Sequence, residues 1–357
     1  MTSRYSKSLV LLSLAVLVIA TAIVSRHAWI ARRDRGRDAN LRQLFGKIAS
    51  SRGITVVEQP LLMLRGHSRP AYKVAFSPDG TRIASAGGDG DATVKIWNSQ
   101  TAELLLTLKG HDRGVYNVAF SPDGKHLASA GHDHTAVIWE VATGKAVRTI
   151  KGLEIHVHGV DFSPDGKRLA TADGNGVRVW EVGTGREILT LQGQHDNSTC
   201  VDFSPDGRRL AAGRLDWSVK VWDATTGQEV LTFLGHNREV LDVAFSPDSG
   251  RIASASDDHS VKVWNADTGQ EIATFTGHVA HVWDVAFSPD GKRIASIGSD
   301  EIARIWDAYT AREIVEFNAG SITRQTAAFM GVAFSPDGKR LASTGSDETV
   351  KVWKAAD

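Results

Sequence analysis

Residues 235–276 read GHNREVLDVAFSPDSGRIASASDDHSVKVWNADTGQEIATFT, and this stretch decides the fold. Leu241–Phe245 is a short β-favouring run, and Ser246-Pro247-Asp248 starts a turn. Proline presets φ at the first central turn position, while Asp and the glycine beyond it tolerate what the remaining positions require. Arg251–Ala255 reads as a second strand, Ser256-Asp257-Asp258-His259 as a tight polar turn, and Val261–Trp264 as a third strand. Asp267-Thr268-Gly269 is another turn, and Glu271–Phe275 a fourth strand. Four short strands joined by hairpin turns predict an antiparallel sheet. Such a sheet has two apolar faces and must bury both.

The same unit recurs along the chain. Seven of the nine prolines sit in the pentapeptide turn, at Pro78, Pro122, Pro164, Pro205, Pro247, Pro289 and Pro336. The preceding phenylalanines, Phe76, Phe120, Phe162, Phe203, Phe245, Phe287 and Phe334, are separated by steps of 44, 42, 41, 42, 42 and 47 residues. A tryptophan follows in each copy, at positions 97, 139, 180, 222, 264, 306 and 353. Seven of the ten tryptophans are therefore repeat positions and need no separate functional explanation. A fixed period of this length excludes disorder and a mosaic of unrelated domains. Radial stacking of seven sheets into a closed ring buries both faces of each and protects their edges. The last copy stops at Trp353-Lys354 without a fourth strand, and Pro60–Arg65 registers against Glu229–Leu234. This predicts that Leu61–Arg65 pairs with Val350–Trp353 and closes the ring.

With Gly-His near the start of a copy and Trp-Asp near its end, the chain resembles the WD-repeat (WD40) family. Gly-His appears at 66–67, 110–111, 235–236 and 277–278, and Trp-Asp survives at 222–223 and 306–307. The resemblance covers about residues 57–357 and implies an all-β, seven-bladed β-propeller. It also implies a hydrogen-bonded tetrad inside each blade. By register these are His111, Ser129, Asp133 and Trp139 in the second copy, and His236, Ser254, Asp258 and Trp264 in the fifth. The sixth has His278, Ser296, Asp300 and Trp306, and the first has His67, Ser85 and Trp97 with either Asp91 or Asp89. Leu153 and Gln194 replace the histidine in copies three and four, Ala212 replaces the serine in four, and copy seven lacks the histidine. Because the His-Ser-Asp grouping repeats around the ring, it reads as structure and not as a protease triad, which needs one copy.

The chain carries 41 Lys+Arg against 41 Asp+Glu, a net charge of zero, but the sum conceals an asymmetry. Residues 1–55 hold ten basic and two acidic side chains, net +8, and the remainder is net −8. An acidic ring argues against nucleic acid as a partner. Within the basic segment, Leu9–Val24 has no charge and spans about 24 Å as a helix, close to the length that crosses a ~30 Å hydrocarbon core. One reading is a cleaved signal peptide with Ala20-Thr21-Ala22 as its cleavage site, which would export the propeller to bind a ligand or envelope component. The other is a retained signal anchor. Arg26, Arg32, Arg33, Arg35 and Arg37 after the run outweigh Arg4 and Lys7 before it, which favours the anchor and holds the ring in the cytoplasm. The expected organisation is a single N-terminal transmembrane helix within 1–25, a basic linker over 26–56 and the propeller over 57–357. In the linker, Leu41, Leu44, Phe45 and Ile48 share one face of a short helix.

The seven copies also expose positions that the fold leaves free. The residue five past each Gly-His histidine register reads Tyr72, Tyr116, His158, Thr199, Leu241, Trp283 and Met330. Two residues earlier stand Pro70, Gly114, His156, Asn197, Glu239, His281 and Ala328. The family resemblance places both sets near the channel rim where partners dock. With Arg69, Arg113 and Arg238 beside them, Tyr72, Tyr116, His156, His158, His281 and Trp283 have the composition of a protein-binding surface. His132-Asp133-His134 and His156-Val157-His158 should emerge on the same face of adjacent blades, a histidine density that zinc or copper sites use. Exposed histidines are common and Asp133 belongs to a tetrad, so no metal or other cofactor is assigned. Asp89-Gly90-Asp91 lacks the later ligands of a calcium loop and reads as an elongated turn. Cys200, the only cysteine, stands beside Val201 and Phe203 in a strand and reads as a buried thiol. No phosphate-cradling glycine loop and no His-Glu-x-x-His is present. The expected function is a non-catalytic, membrane-tethered scaffold for other proteins.

Overall fold

A computed structural model describes residues 53–153, 155–191, 197–318 and 331–355. The expected membrane helix within 1–25 and the linker helix at 41–48 lie outside the described residues, as do Gln194, Ala328 and Met330. Among the described residues, no helix is long and apolar enough to cross a membrane.

Seven antiparallel sheets follow one another along the chain. Blade one is formed by Ala71–Phe76, Arg82–Gly87, Thr93–Asn98 and Leu104–Lys109, in sequence order across the sheet. Blades two to six repeat this order, beginning at Val115, Val157, Asp202, Val240 and Val282. Blade seven has Val332–Phe334, Arg340–Thr344 and Thr349–Lys354 from the C-terminal end of the chain. Its fourth strand is Leu62–Arg65, antiparallel to the third, with Leu62 opposite Val352 and Arg65 opposite Thr349. The Leu61 amide donates to the Val352 carbonyl at 2.7 Å. The closure expected from the repeat register is the one observed. First strands neighbour first strands all the way round, with Val332–Phe334 returning to Ala71–Phe76.

One strand was not legible in the sequence. Thr55–Val57 lies parallel to Glu313–Asn318, the outer strand of blade six, with Thr55 opposite Val315 and Val57 opposite Phe317. Three residues before a Glu-Gln-Pro turn carry no period. The ordered ring therefore starts ahead of residue 57, and the entering chain grips two blades.

Burial explains why the sheets stack. The apolar side chains form seven clusters, and each straddles one seam between neighbouring blades. The seam between blades seven and one joins Leu64, Val350 and Val352 to Val74 and Trp97. Second strands present alanines to these seams, such as Ala84 and Ala86 or Ala253 and Ala255, all fully buried. Small residues there let whole sheets approach while the larger residues opposite fill the space.

A second device is polar and also repeats. The arginine that opens the second strand reaches across to the next blade. Arg168 donates to the carbonyls of Ala224 at 2.5 Å and Gly207 at 3.1 Å, with its guanidinium 5.3 Å from the Phe203 ring. Arg209, Arg251 and Arg293 make the corresponding bonds to Ser249, Gly291 and Gly338. Arg340 completes the circle by donating to Ser99 and Gly80 of blade one at 2.6 and 3.2 Å. The receiving glycines sit in the left-handed region, with φ of 71° at Gly207 and 69° at Gly80. That conformation, which glycine adopts without a Cβ clash, aims the carbonyl at the arriving guanidinium.

Candidate functional site

Each complete tetrad fixes the rim of its blade. In blade two, the Trp139 indole N–H donates to Ser129 Oγ at 2.8 Å, and that hydroxyl lies 2.7 Å from His111 Nε2. His111 Nδ1 is 3.0 Å from the Asp133 carboxylate, which also accepts the Asp112 amide at 2.9 Å. Burial pushes the Asp133 carboxyl up, but the hydrogen bond and charge of His111 outweigh it and hold it down at about 2. The same chain runs through His236, Ser254, Asp258 and Trp264, and through His278, Ser296, Asp300 and Trp306. In blade one the acid is Asp91, with Nδ1 of His67 at 3.1 Å and Nε2 at 2.7 Å from Ser85. Blade three keeps only the Trp180–Thr171 bond, 2.9 Å, and Leu153 packs into the seam cluster instead of a histidine. Blade seven likewise keeps Trp353–Ser343 at 2.9 Å.

Asp89, freed from the tetrad by the two-residue insertion, reaches into blade two. It accepts the Gly114 amide at 3.0 Å and faces His132 Nδ1 at 3.0 Å. A Cβ at Gly114 would come within 2.5 Å of the Asp89 backbone nitrogen, so only glycine admits this loop. The elongated turn thus links two blades.

The variable position five past the histidine register has a structural cause. In blade one, Ala71 pairs with Gly87 and Lys73 with Ala86, and Tyr72 is skipped. Tyr116, His158, Leu241 and Trp283 are skipped in the same way. Each is the extra residue of a β-bulge, which re-aims its side chain and releases it from the ladder. These residues, with Thr199 from blade four, line a cavity of about 380 Å³ at the channel mouth. Ile155, Asn197 and Leu215 complete its wall. Ile155 and Leu215 went unrecognised in the sequence because their registers are polar in other copies, Arg69, Arg113 and Arg238 for the first and His132 and Asp257 for the second.

The wall is aromatic on one side. Tyr72 stacks on Tyr116 with ring centres 5.7 Å apart, and Tyr116 meets His158 at 5.2 Å. Tyr72 is buried rather than displayed, so Tyr116 carries the accessible part of this pair. Burial pushes the Tyr116 hydroxyl up to about 12, with Asp89 and Tyr72 adding to it. Burial, then the nearby His156 and His132, lowers His158 to about 4, so its ring is neutral near pH 7. Across the mouth, the Trp283 indole donates to Ser299 Oγ at 2.6 Å.

The floor is ionic. Lys73 spans the channel from blade one to Asp284 at 2.8 Å and Asp242 at 3.3 Å. Burial acts to neutralise the ammonium, but the two carboxylates prevail and raise its pKa. Asp284 also accepts the Val332 amide of the next blade, 2.7 Å, and Asp242 the Val285 amide, 3.2 Å. Asp161 and Asp202 accept the Phe203 and Phe245 amides in the same forward sense, at 2.8 and 2.6 Å. Burial raises Asp202 to about 6, and raises Asp161 as well, with the adjoining Asp202 adding to it. These four carboxylates are stitches between blades, already occupied by the fold. Beside them Cys200 is buried and its thiol pushed up by burial.

Around the rim, Arg69, Arg113 and Arg238 are exposed. Arg238 pairs with Asp257 at 3.0 Å, and His281 contacts the same carboxylate. At the blade two–three boundary, His132 and His156 approach with Nε2 atoms 2.8 Å apart. Among the described residues, no group of three or more histidine, cysteine or carboxylate side chains is arranged to hold a metal ion.

Compared with known families, the chain matches the sequence model described as WD domain, G-beta repeat, at residues 58–98, 102–140, 144–181, 185–223, 227–265, 269–307 and 320–354. No curated protein matches the chain.

Proposed function

Since the chain belongs to the WD40 repeat family, whose propellers generally act as non-catalytic scaffolds for protein–protein contact, we propose that it is a membrane-tethered docking platform whose binding face is the channel mouth described above. The observation that carries this reading is the ring of bulge residues. The repeat conserves strand and turn positions within the chain, yet in five blades a β-bulge presents Tyr, Tyr, His, Leu and Trp to one cavity. Tyr116, His158 and Trp283 supply aromatic anchors, and Arg69, Arg113 and Arg238 a charged rim, the composition of binding hot spots. The ionic floor makes the mouth a shallow socket, suited to a protruding side chain or loop of another protein.

We expect Tyr116→Ala combined with Trp283→Ala to leave the melting temperature within a few degrees of wild type and to cost the protein its bound partners, since hot-spot truncations each weaken binding by about 2 kcal/mol or more. Proximity labelling from the full chain in its own membrane reads this directly. An unchanged set of labelled neighbours in the double variant removes this face from consideration.

The tether rests on Leu9–Val24 and on the five arginines that follow it within Arg26–Arg37. An anchor raises the local concentration of the platform for any partner at the same membrane. The excess of arginines after the apolar run supports a ring on the cytoplasmic side. The Ala20-Thr21-Ala22 sequence favours a second reading, an exported propeller released by cleavage and binding a ligand or envelope component. Protease added outside intact cells distinguishes them: a protected, full-length chain is the expected result, and digestion of the ring from outside defeats the cytoplasmic placement.

A further inference from the structure

We propose that the ring pairs with a second copy of this chain through the outer edge of blade one, the two Leu104–Lys109 strands joining antiparallel about a two-fold axis. This strand is the outermost of its blade, bonded on one side to Thr93–Asn98 and, among the described residues, unpaired on the other. It carries no charge from Leu104 to Leu108, and Leu104 and Leu105 are 41% and 40% exposed. Leu61 and Met63, at the outer strand of neighbouring blade seven, are exposed as well. A bare apolar edge is a template for another strand. The ring shows that its outer edges accept one. Thr55–Val57 extends blade six by pairing with Val315–Phe317, the register that Leu106–Leu108 holds in blade one.

The other outer edges are guarded by charge, by proline or by cover. Those of blades three, four and five open on Glu187, Glu229 and Glu271, and blade six, which opens on Glu313, is covered by Thr55–Val57. Blade two carries Lys145, Arg148 and Lys151. The outer strand of blade seven follows Pro60, which has no N–H to offer. In blade one a leucine stands where the guard would be. Glu229 and Glu271 lie opposite the repeat tryptophans Trp222 and Trp264 and hold Lys220 and Lys262 at 2.7 and 2.8 Å. Leu104 lies opposite Trp97 in the same way, so Lys95, buried at the equivalent position, is left with Thr107 Oγ at 3.3 Å.

The ends of the strand select the partner. Glu103 precedes the apolar run and Lys109 closes it, and both are exposed. Antiparallel pairing about a two-fold axis lays the first end of each strand against the last end of the other. Each Glu103 then meets the Lys109 of the other copy, with Lys95 behind Thr107 at that same end, and leucines fill the middle. Opposite charges across a strand pair stabilise it and like charges oppose it, so this strand is complementary to itself. Blade two fails the same test, since Arg148 would meet Arg148 and Lys145 would meet Lys151.

Sedimentation equilibrium of the full chain in density-matched detergent tests the pairing. A dimer that dissociates on dilution is expected. Leu105→Lys puts a charge on the edge and is expected to leave monomer, whereas Val230→Lys, at the same register of blade four, keeps the dimer. Glu103→Lys sets lysine against lysine at both ends and weakens the dimer about tenfold, and Lys109→Glu does the same with acids. Combining Glu103→Lys with Lys109→Glu exchanges the charges and recovers association, which a contact elsewhere in the chain would not do. Melting temperatures within a few degrees of wild type show that each variant keeps its ring. A chain that stays monomeric at tens of micromolar, or a dimer that neither Leu105→Lys nor Glu103→Lys moves, overturns the pairing.

Discussion

Deleting residues 57–65 from the full chain abolishes the cooperative unfolding transition of the propeller. The segment removed contains the fourth strand of blade seven, and with it Leu64, which is 1% exposed in the seam that joins the last blade to the first. Truncating one buried leucine typically costs about 2–5 kcal/mol. The deletion also strips the hydrogen-bond partner from Thr349–Lys354 and exposes Val350 and Val352. A domain stabilised by roughly 5–15 kcal/mol does not survive losses of that size. The position of the break makes it worse. A closed ring leaves each blade only a short outer edge, but an open one offers two apolar faces and the unpaired third strand of blade seven to other molecules. Aggregation should accompany the loss of structure. Near-ultraviolet circular dichroism reports it through the seven repeat tryptophans, and a sharp melt at the wild-type temperature would show that another contact closes the ring. Among the described residues, Arg340, which stitches blade seven to blade one, is the repeated polar contact left to do so.

The closure was legible because both ends of the chain could be aligned to complete internal copies. Seven registers of one pattern let Leu61–Arg65 be read as a displaced fourth strand although its partner lies nearly three hundred residues away. The tetrads were legible for the same reason, and only the choice between Asp89 and Asp91 is made by the fold. What could not be read was anything that depends on how one blade meets the next. The arginines at 168, 209, 251, 293 and 340 stand at a repeated position, but a period says nothing about where a long side chain reaches. The parallel strand Thr55–Val57 has no copy to compare with. At the site, the variable position was visible as variation, while the reason for it, a bulge in the innermost strand, appears only in the pairing register. Variation marked freedom from the ladder. It did not reveal that Tyr72 would turn inward and be covered by Tyr116.

Ser254→Ala in blade five, like the same change in any complete tetrad, should be among the most damaging single-atom deletions in the ring, at about 2–4 kcal/mol, measured as a lower denaturant midpoint at unchanged slope. The hydroxyl is fully buried and has two partners, the Trp264 indole N–H at 2.8 Å and His236 Nε2 at 2.7 Å. Removing it takes away little volume but leaves a donor and an acceptor unsatisfied where water cannot replace them, each worth about 1–3 kcal/mol. Nor can the blade relax around the loss, because Asp258 holds His236 from the other side at 2.8 Å. The size of the effect should depend on keeping the histidine. Blade three has leucine at that register and still forms its tryptophan bond to Thr171, and blade four lacks both the histidine and the hydroxyl, with Gln194 and Ala212 instead. Blade four shows that the two ends can be lost together, since removing both ends of a buried hydrogen bond can be nearly neutral while removing one is not. His236→Leu added to Ser254→Ala should therefore cost less than the sum of the two single changes. Strict additivity in that cycle would mean that the tetrad is four separate contacts, and that blade four lost its histidine and hydroxyl without the compensation argued here.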